Sequence, residues 1–191
     1  IVEKAENVTE NGGENTQEKR YFAKVLWGGL LKSRKSAALP GAKIYPPTLT
    51  NSDLANIKIA NEMGVTGVMQ PFVRDHSDLE RVKEVLREAG AEDIRLFAKI
   101  ENMDGVRKLE KLLPAADEIV IARGDLGNAV HLWDLPGVQR QISEKCRAAG
   151  KPFMVVTQML ASMERSPVPT RAEVNDIFHA VMDGAASIMV T

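Results

Sequence analysis

The chain has 191 residues, 44% of them hydrophobic and 27% charged, with a formal net charge of -1. That length suits one packed domain of ordinary size, and the charge balance argues against a nucleic-acid-binding surface. No apolar run is long enough to span a membrane, and no signal-peptide pattern is present. Cys146 is the only cysteine, which excludes an internal disulfide and sets a reducing cytoplasm as the expected location. Asn7-Val-Thr9 matches a glycosylation acceptor, which without a secretory signal reads as coincidence.

Two strand-like runs come first, Ile1-Val-Glu-Lys-Ala-Glu6 and Tyr21-Phe-Ala-Lys-Val-Leu-Trp27. They flank the turn-rich Asn11-Gly-Gly-Glu-Asn15, so a small hairpin with a long polar tip is expected. Lys32, Arg34 and Lys35 then form a basic stretch before Leu39-Pro-Gly41. From Asn51 onward a repeat sets in. Leu54, Ile57, Ala60 and Met63 recur at helical spacing, with Gly64 as the C-terminal cap. A strand is expected over 65–73. Ser77-Asp-Leu-Glu80 reads as a capping box opening a helix that Gly90 closes. The series continues with a strand over 94–100, a helix over 104–113 stopped by Pro114, and a strand over 119–122. A helix over 135–149 closed by Gly150 and a strand over 153–156 follow. A short helix over 158–164, a helix opened by the Thr170-Arg-Ala-Glu173 capping box and running to about Asp183, and a strand over 187–190 complete it.

Strand and helix alternate at a spacing of roughly 25 residues, the βαβ signature of a parallel sheet. Five strands follow Pro40, whereas a (β/α)8 TIM barrel needs eight. The expected architecture is therefore α/β. Residues 41–191 form roughly the second half of such a barrel, and residues 1–40 a small β-hairpin with a linker.

Three of the expected strands end in chemistry. Leu96-Phe-Ala-Lys-Ile-Glu-Asn102 carries Lys99 and Glu101 two apart, on one side of a strand. Ile119-Val-Ile-Ala-Arg-Gly-Asp125 ends in Asp125 beside Gly124, where backbone can come close to a ligand. Phe153-Met-Val-Val-Thr157 ends in a hydroxyl. In a parallel barrel such ends converge on one mouth. One cation, two carboxylates and a hydroxyl there suit a divalent metal holding an anionic oxygen substrate. Plainer readings stand beside this one: an interior salt bridge for Lys99 and Glu101, a turn acid for Asp125, a β-branched strand end for Thr157, and a helix-start role for Gln158. The methionines, Met63, Met69, Met154, Met159 and Met189 among them, read as core filler. His76, His131 and His179 lack metal-ligand spacing, and Asn175-Asp176 reads as a polar helix face.

Lys99-Ile-Glu-Asn102, Ala122-Arg-Gly-Asp-Leu-Gly127, Thr157-Gln-Met-Leu160 and Pro169-Thr-Arg-Ala-Glu173 occur in that order. Together they resemble the motifs of pyruvate kinase, and the likeness runs from about Val25 to the last residue. The resemblance implies transfer of a phosphoryl group between phosphoenolpyruvate and ADP, giving pyruvate and ATP, in glycolysis. It makes Lys99 the cation that stabilises the transferring phosphoryl group and the enolate. Glu101 and Asp125 become ligands of Mg²⁺ or Mn²⁺. Ala122, Arg123 and Gly124 offer backbone N–H groups to the substrate carboxylate, with Arg123 orienting the loop, and Thr157 takes part in protonating the enolate. Arg34 and Lys35 would meet nucleotide phosphates, and Arg171 would lie at a subunit interface of a homo-oligomer. The family's K⁺ site and an early substrate-binding arginine belong to strands outside these 191 residues. Ser36, Ala37 and Ala38 depart from the usual Gly-Val-Asn, and Pro71 replaces a hydroxyl residue. These departures keep two other readings open: a Mg²⁺-dependent pyruvate or enolate lyase or aldolase without a nucleotide, and a non-catalytic metabolite-binding barrel.

Overall fold

The computed structural model describes residues 2–8, 20–25, 28–30, 33 and 46–190. The chain divides into two compact units, Ile1–Ala38 and Leu39–Thr191. In the first, β1 (Val2–Val8) pairs antiparallel with β2 (Arg20–Val25), and the register slips between Val2 and Ala5. Thr9, Lys32, Arg34, Lys35 and Ala38 lie outside the described residues, so the expectations attached to them stand where the sequence left them.

The second unit is built on one five-stranded sheet: β3 (Gly67–Gln70), β4 (Arg95–Ile100), β5 (Glu118–Ala122), β6 (Phe153–Val156) and β7 (Ser187–Met189). The strands lie side by side in chain order and every pairing is parallel. Parallel strands need crossovers, and helices supply them: α1 (Asn51–Lys58) precedes β3, and α2 (His76–Glu88) joins β3 to β4. Further along come α3 (Met103–Arg107), α4 (Leu109–Leu112), α5 (Arg123–Ala129), α6 (Leu135–Ala148) and α7 (Arg171–Met182).

The period of two along each strand sorts the side chains onto two faces. Leu96, Ala98 and Ile100 of β4, Ile119 and Ile121 of β5, and Phe153 and Val155 of β6 join the main core. Leu79, Val82 and Leu86 of α2, Leu109 and Leu112 of α4, and Ile142 and Cys146 of α6 belong to the same core. The opposite face gathers Val120, Ala122 and Val156 with Phe97, Met154 and Met189. At its amino end Arg95 meets Glu118 at 3.2 Å, and the Ser187 hydroxyl donates to Glu118 at 3.0 Å.

One turn recurs, at the exits of α2, α6 and α7 and at the end of the turn that follows α1. Gly64, Gly90, Gly150 and Gly184 all have positive φ. The residue after each glycine donates its N–H back to the carbonyl five residues earlier: Val65 to Ala60, Ala91 to Leu86, Lys151 to Cys146 and Ala185 to Ala180. Each glycine donates to the carbonyl three residues earlier, completing a Schellman motif. Only glycine adopts this left-handed backbone without penalty.

Several elements depart from the expected bounds. The 104–113 helix is broken at Lys108, which closes α3 and opens α4 and whose ammonium meets Asp75 at 2.6 Å. The box opening α2 is Asp75 to Asp78, not Ser77 to Glu80: Asp78 accepts from the Asp75 and Arg74 N–H groups and from the Arg74 guanidinium. The short 158–164 helix is a 3₁₀ turn over Ala161–Glu164. Helix α1 stops at Lys58, so Met63 falls in an exposed turn, and Met69 is exposed too; neither is core filler, whereas Met159 is buried.

Cys146 is fully buried on α6, and burial pushes its thiol up to about 12. The thiolate is the reactive form. A thiol-reactive disulfide at pH 8 is therefore expected to leave Cys146 unmodified in the native protein and to label it on unfolding in denaturant. Rapid native-state labelling, followed by mass spectrometry, would contradict this burial.

Candidate active site

Parallel register fixes which strand ends are neighbours. Lys99 pairs with Val120, and Ile121 and Ala122 pair with Val155 and Val156. The carboxyl ends of β4, β5 and β6 therefore lie side by side. They lead into Glu101, the Arg123-Gly124-Asp125 start of α5, and Thr157.

Glu101 is the most enclosed charge there. Its side chain is 1% exposed, and Oε1 lies 2.7 Å from Lys99 Nζ. Oε2 accepts the Phe72 backbone N–H at 2.7 Å. A buried carboxylate is tolerated only with such partners. Phe72 reaches it because the chain leaves β3 with Phe72 at φ 51, in the left-handed region. Among the described residues no buried side-chain nitrogen or oxygen lacks a partner. The Lys99 side chain keeps 28% exposure while its ammonium meets Glu101.

Chain leaving β5 turns at once into α5, with Ala122 in the cap position. The first-turn N–H groups of a helix have no intrahelical acceptor, and here they belong to Arg123, Gly124 and Asp125. Asp125 is exposed and has no partner among the described residues. Gly124 sits against Thr157: a Cβ added there would lie 2.9 Å from Thr157 Cγ2. Thr157 has φ 79, followed by Gln158 at 59 and Leu160 at 57. A β-branched residue held there costs on the order of 1–3 kcal/mol, which the surroundings must offset. Gln158 is thus part of a left-handed turn and does not start a helix.

The Arg123 side chain is 12% exposed. It donates to the Thr157 carbonyl at 2.7 Å and pairs with Asp176 of α7 at 2.7 Å. Asp176, expected on a polar helix face, is instead the anchor of this arginine. Nothing in the spacing signalled it, because Arg123 and Asp176 are 53 residues apart.

At the start of α7 the Thr170 to Glu173 capping box forms as expected. It also does more. Glu173 accepts from the Ser162 N–H at 2.7 Å and from its hydroxyl, tying the 3₁₀ turn after Thr157 to α7. Arg171 is exposed and lines a groove of about 370 Å³ with Pro169, Val174, Asn175 and Phe178. His131 stacks on Trp133 and His179 lies edge-on to Phe178.

A family model described as the pyruvate kinase barrel domain matches residues 8–191. The chain belongs to the pyruvate kinase family. It is 39% identical over 177 residues to a pyruvate kinase of Bacillus licheniformis, covering 93% of this chain and 30% of that protein. Against the Geobacillus stearothermophilus pyruvate kinase identity is 40% over 167 residues, covering 87% of this chain and 28% of the relative. For that of Dictyostelium discoideum it is 40% over 161 residues, covering 84% and 32%. The chain thus spans about a third of the length of the relatives it matches. The family's barrel domain accounts for the parallel α/β sheet.

Hydrogen bonds from Ser162 and Thr170 hold the Glu173 carboxyl down at about 2. A folded pKa below the unfolded value contributes stability that is present above about pH 4.5 and is lost as pH falls towards 2. Thermal melts from pH 5 to 2 are expected to show a steeper loss of stability for wild type than for Glu173→Gln. Parallel curves would contradict the clamp.

Proposed function

We propose that this chain is roughly the second half of a (β/α)8 barrel. Its carboxyl-end mouth belongs to an enzyme transferring a phosphoryl group between phosphoenolpyruvate and ADP. The observation that carries the reading is the side-by-side arrangement of Lys99 and Glu101, the Ala122 to Asp125 turn, and Thr157 at three successive strand ends. In this reading the hairpin unit is what remains here of a lid domain, and Arg34 and Lys35 contact nucleotide phosphates.

The substrate carboxylate takes the open N–H groups around Arg123 and Gly124. Gly124 has no side chain, so backbone comes close to ligand on one side and to Thr157 on the other. Lys99 places its ammonium where negative charge grows on the transferring phosphoryl group and then on the enolate oxygen. A lysine suits this as a compact point charge on a mobile stem. Thr157 lies on the enolate side and delivers or relays the proton that makes pyruvate.

Glu101 and Asp125 would hold a divalent cation, Mg²⁺ or Mn²⁺. Among the described residues no three His, Cys, Asp or Glu side chains gather to hold a metal ion. Two carboxylates completed by substrate oxygens and water match the ordinary habit of Mg²⁺. When bound, the ion supplies charge neutralisation across the phosphoryl and enolate oxygens. A K⁺ site, if the reaction uses one, draws on strands outside this chain.

The partners are phosphoenolpyruvate or pyruvate, ADP or ATP, and further copies of the same subunit. The exposed Val174, Phe178, Val181 and Met182 on α7, beside Arg171, support a subunit interface there. Among the described residues no helix is long and apolar enough to cross a membrane, and a cytoplasmic location follows from the proposed glycolytic role.

Lys99→Met in the complete gene product is the test. It is expected to lower kcat for ADP phosphorylation by about 10²–10³-fold with little change in KM for phosphoenolpyruvate. Undiminished turnover would remove Lys99 from the chemistry. Turnover of an enolate substrate by wild type without any ADP requirement would favour the lyase reading.

A further inference from the structure

We propose that Arg123 and Asp176 are a positioning pair that holds Thr157 in its left-handed backbone and so aims its hydroxyl into the site. The proposal deepens the assignment of Thr157 to enolate protonation and rests on it. Three observations carry it. Thr157 has φ 79, a conformation that a β-branched residue does not keep unless its surroundings impose it. The Thr157 carbonyl accepts from Arg123 Nη2 at 2.7 Å, while Arg123 Nη1 is fixed by Asp176 Oδ1, also at 2.7 Å. On the other side, the Thr157 side chain abuts Gly124, whose Cβ position would be 2.9 Å from Thr157 Cγ2.

These contacts grip Thr157 from two directions. The arginine pulls on its carbonyl, and the missing side chain at residue 124 leaves room for its methyl group. A planar guanidinium is the group suited to the task, because its two terminal nitrogens hold a fixed angle between carboxylate and carbonyl. Both terminal nitrogens are engaged within the chain, so Arg123 acts through Thr157 and not on substrate. Asp176 comes from α7, so the aim of the hydroxyl is also set by where that helix sits. Without the pair, the backbone at Thr157 relaxes out of the left-handed region and the hydroxyl swings away from the methylene carbon. Phosphoryl transfer, which depends on Lys99, is affected less than protonation.

The test uses the complete gene product and three variants, Arg123→Lys, Asp176→Asn and Asp176→Glu. Protonation is followed by exchange of the pyruvate methyl protons with D₂O, read by NMR in the presence of Mg²⁺. Thr157 itself is followed through its ¹³C-labelled Cγ2 methyl resonance. In Arg123→Lys and Asp176→Asn the exchange rate is expected to fall about 10- to 100-fold, with KM for phosphoenolpyruvate within about twofold and the methyl resonance displaced. Asp176→Glu is expected to recover part of the exchange. Wild-type exchange that persists unchanged in folded Arg123→Lys and Asp176→Asn, with an unmoved resonance, overturns the pair and leaves the protonation assignment intact. A wild-type protein without exchange, whose Thr157 resonance still moves in Asp176→Asn, keeps the pair and overturns that assignment.

Discussion

Parallel pairing without offset is the constraint on which the site depends. Because Lys99 lies opposite Val120 and Ala122 opposite Val156, three strands reach the same level before turning away. Each then adds one kind of group: a cation and a carboxylate from β4, open N–H groups and a second carboxylate from the β5 exit, a hydroxyl from the β6 exit. A slip of one residue in β4 would send Lys99 and Glu101 to the helix-packed face and bring Ala98 and Ile100 to the mouth. The apolar alternation of Leu96, Ala98 and Ile100 prevents that slip, since these three belong to the main core. Core packing thus sets the position of the charged residues.

The Lys99–Glu101 pair shows how charge is kept in such a place. Glu101 is enclosed, and removing one partner from a buried pair typically costs about 3–5 kcal/mol. Replacing both partners of a buried pair with well-packed apolar residues is often neutral or stabilising. Retention of the pair is therefore poorly explained by stability. Two donors hold the carboxylate, one from the Lys99 side chain and one from the Phe72 backbone. The lysine side chain remains partly exposed. A charge fixed on one side and reachable on the other is the arrangement that electrostatic catalysis requires.

Much of this was legible from residues alone. Strands β4 to β7 were visible as short apolar runs, and β5 is buried at every position, as a strand covered on both faces should be. Gly90, Gly150 and Gly184 marked the helix exits, and the Schellman hydrogen bonds explain why glycine stands there, whereas Gly64 closes a turn beyond the end of α1 at Lys58. Thr170 and Glu173 announced α7 because a capping box is local chemistry. What escaped the sequence was long-range or left-handed. Asp176 looks like any polar helix residue until Arg123, far away in the chain, is folded against it. Gln158 lies in a left-handed turn that its type does not advertise. The break at Lys108 coincides with a tertiary ion pair to Asp75 that periodicity along one helix cannot register. Met63 fits a helical stripe that stops short of it, because α1 ends at Lys58.

In the proposed function the ends of β4 and β5 make one metal-dependent site for an enolate-like anion. Titration calorimetry of oxalate into the complete gene product, with and without Mg²⁺, tests it most directly, since oxalate has the shape and charge of the pyruvate enolate. Binding is expected to require Mg²⁺ in wild type and to disappear in Asp125→Ala. Oxalate binding that is indifferent to Mg²⁺, or that survives Asp125→Ala unchanged, would contradict it.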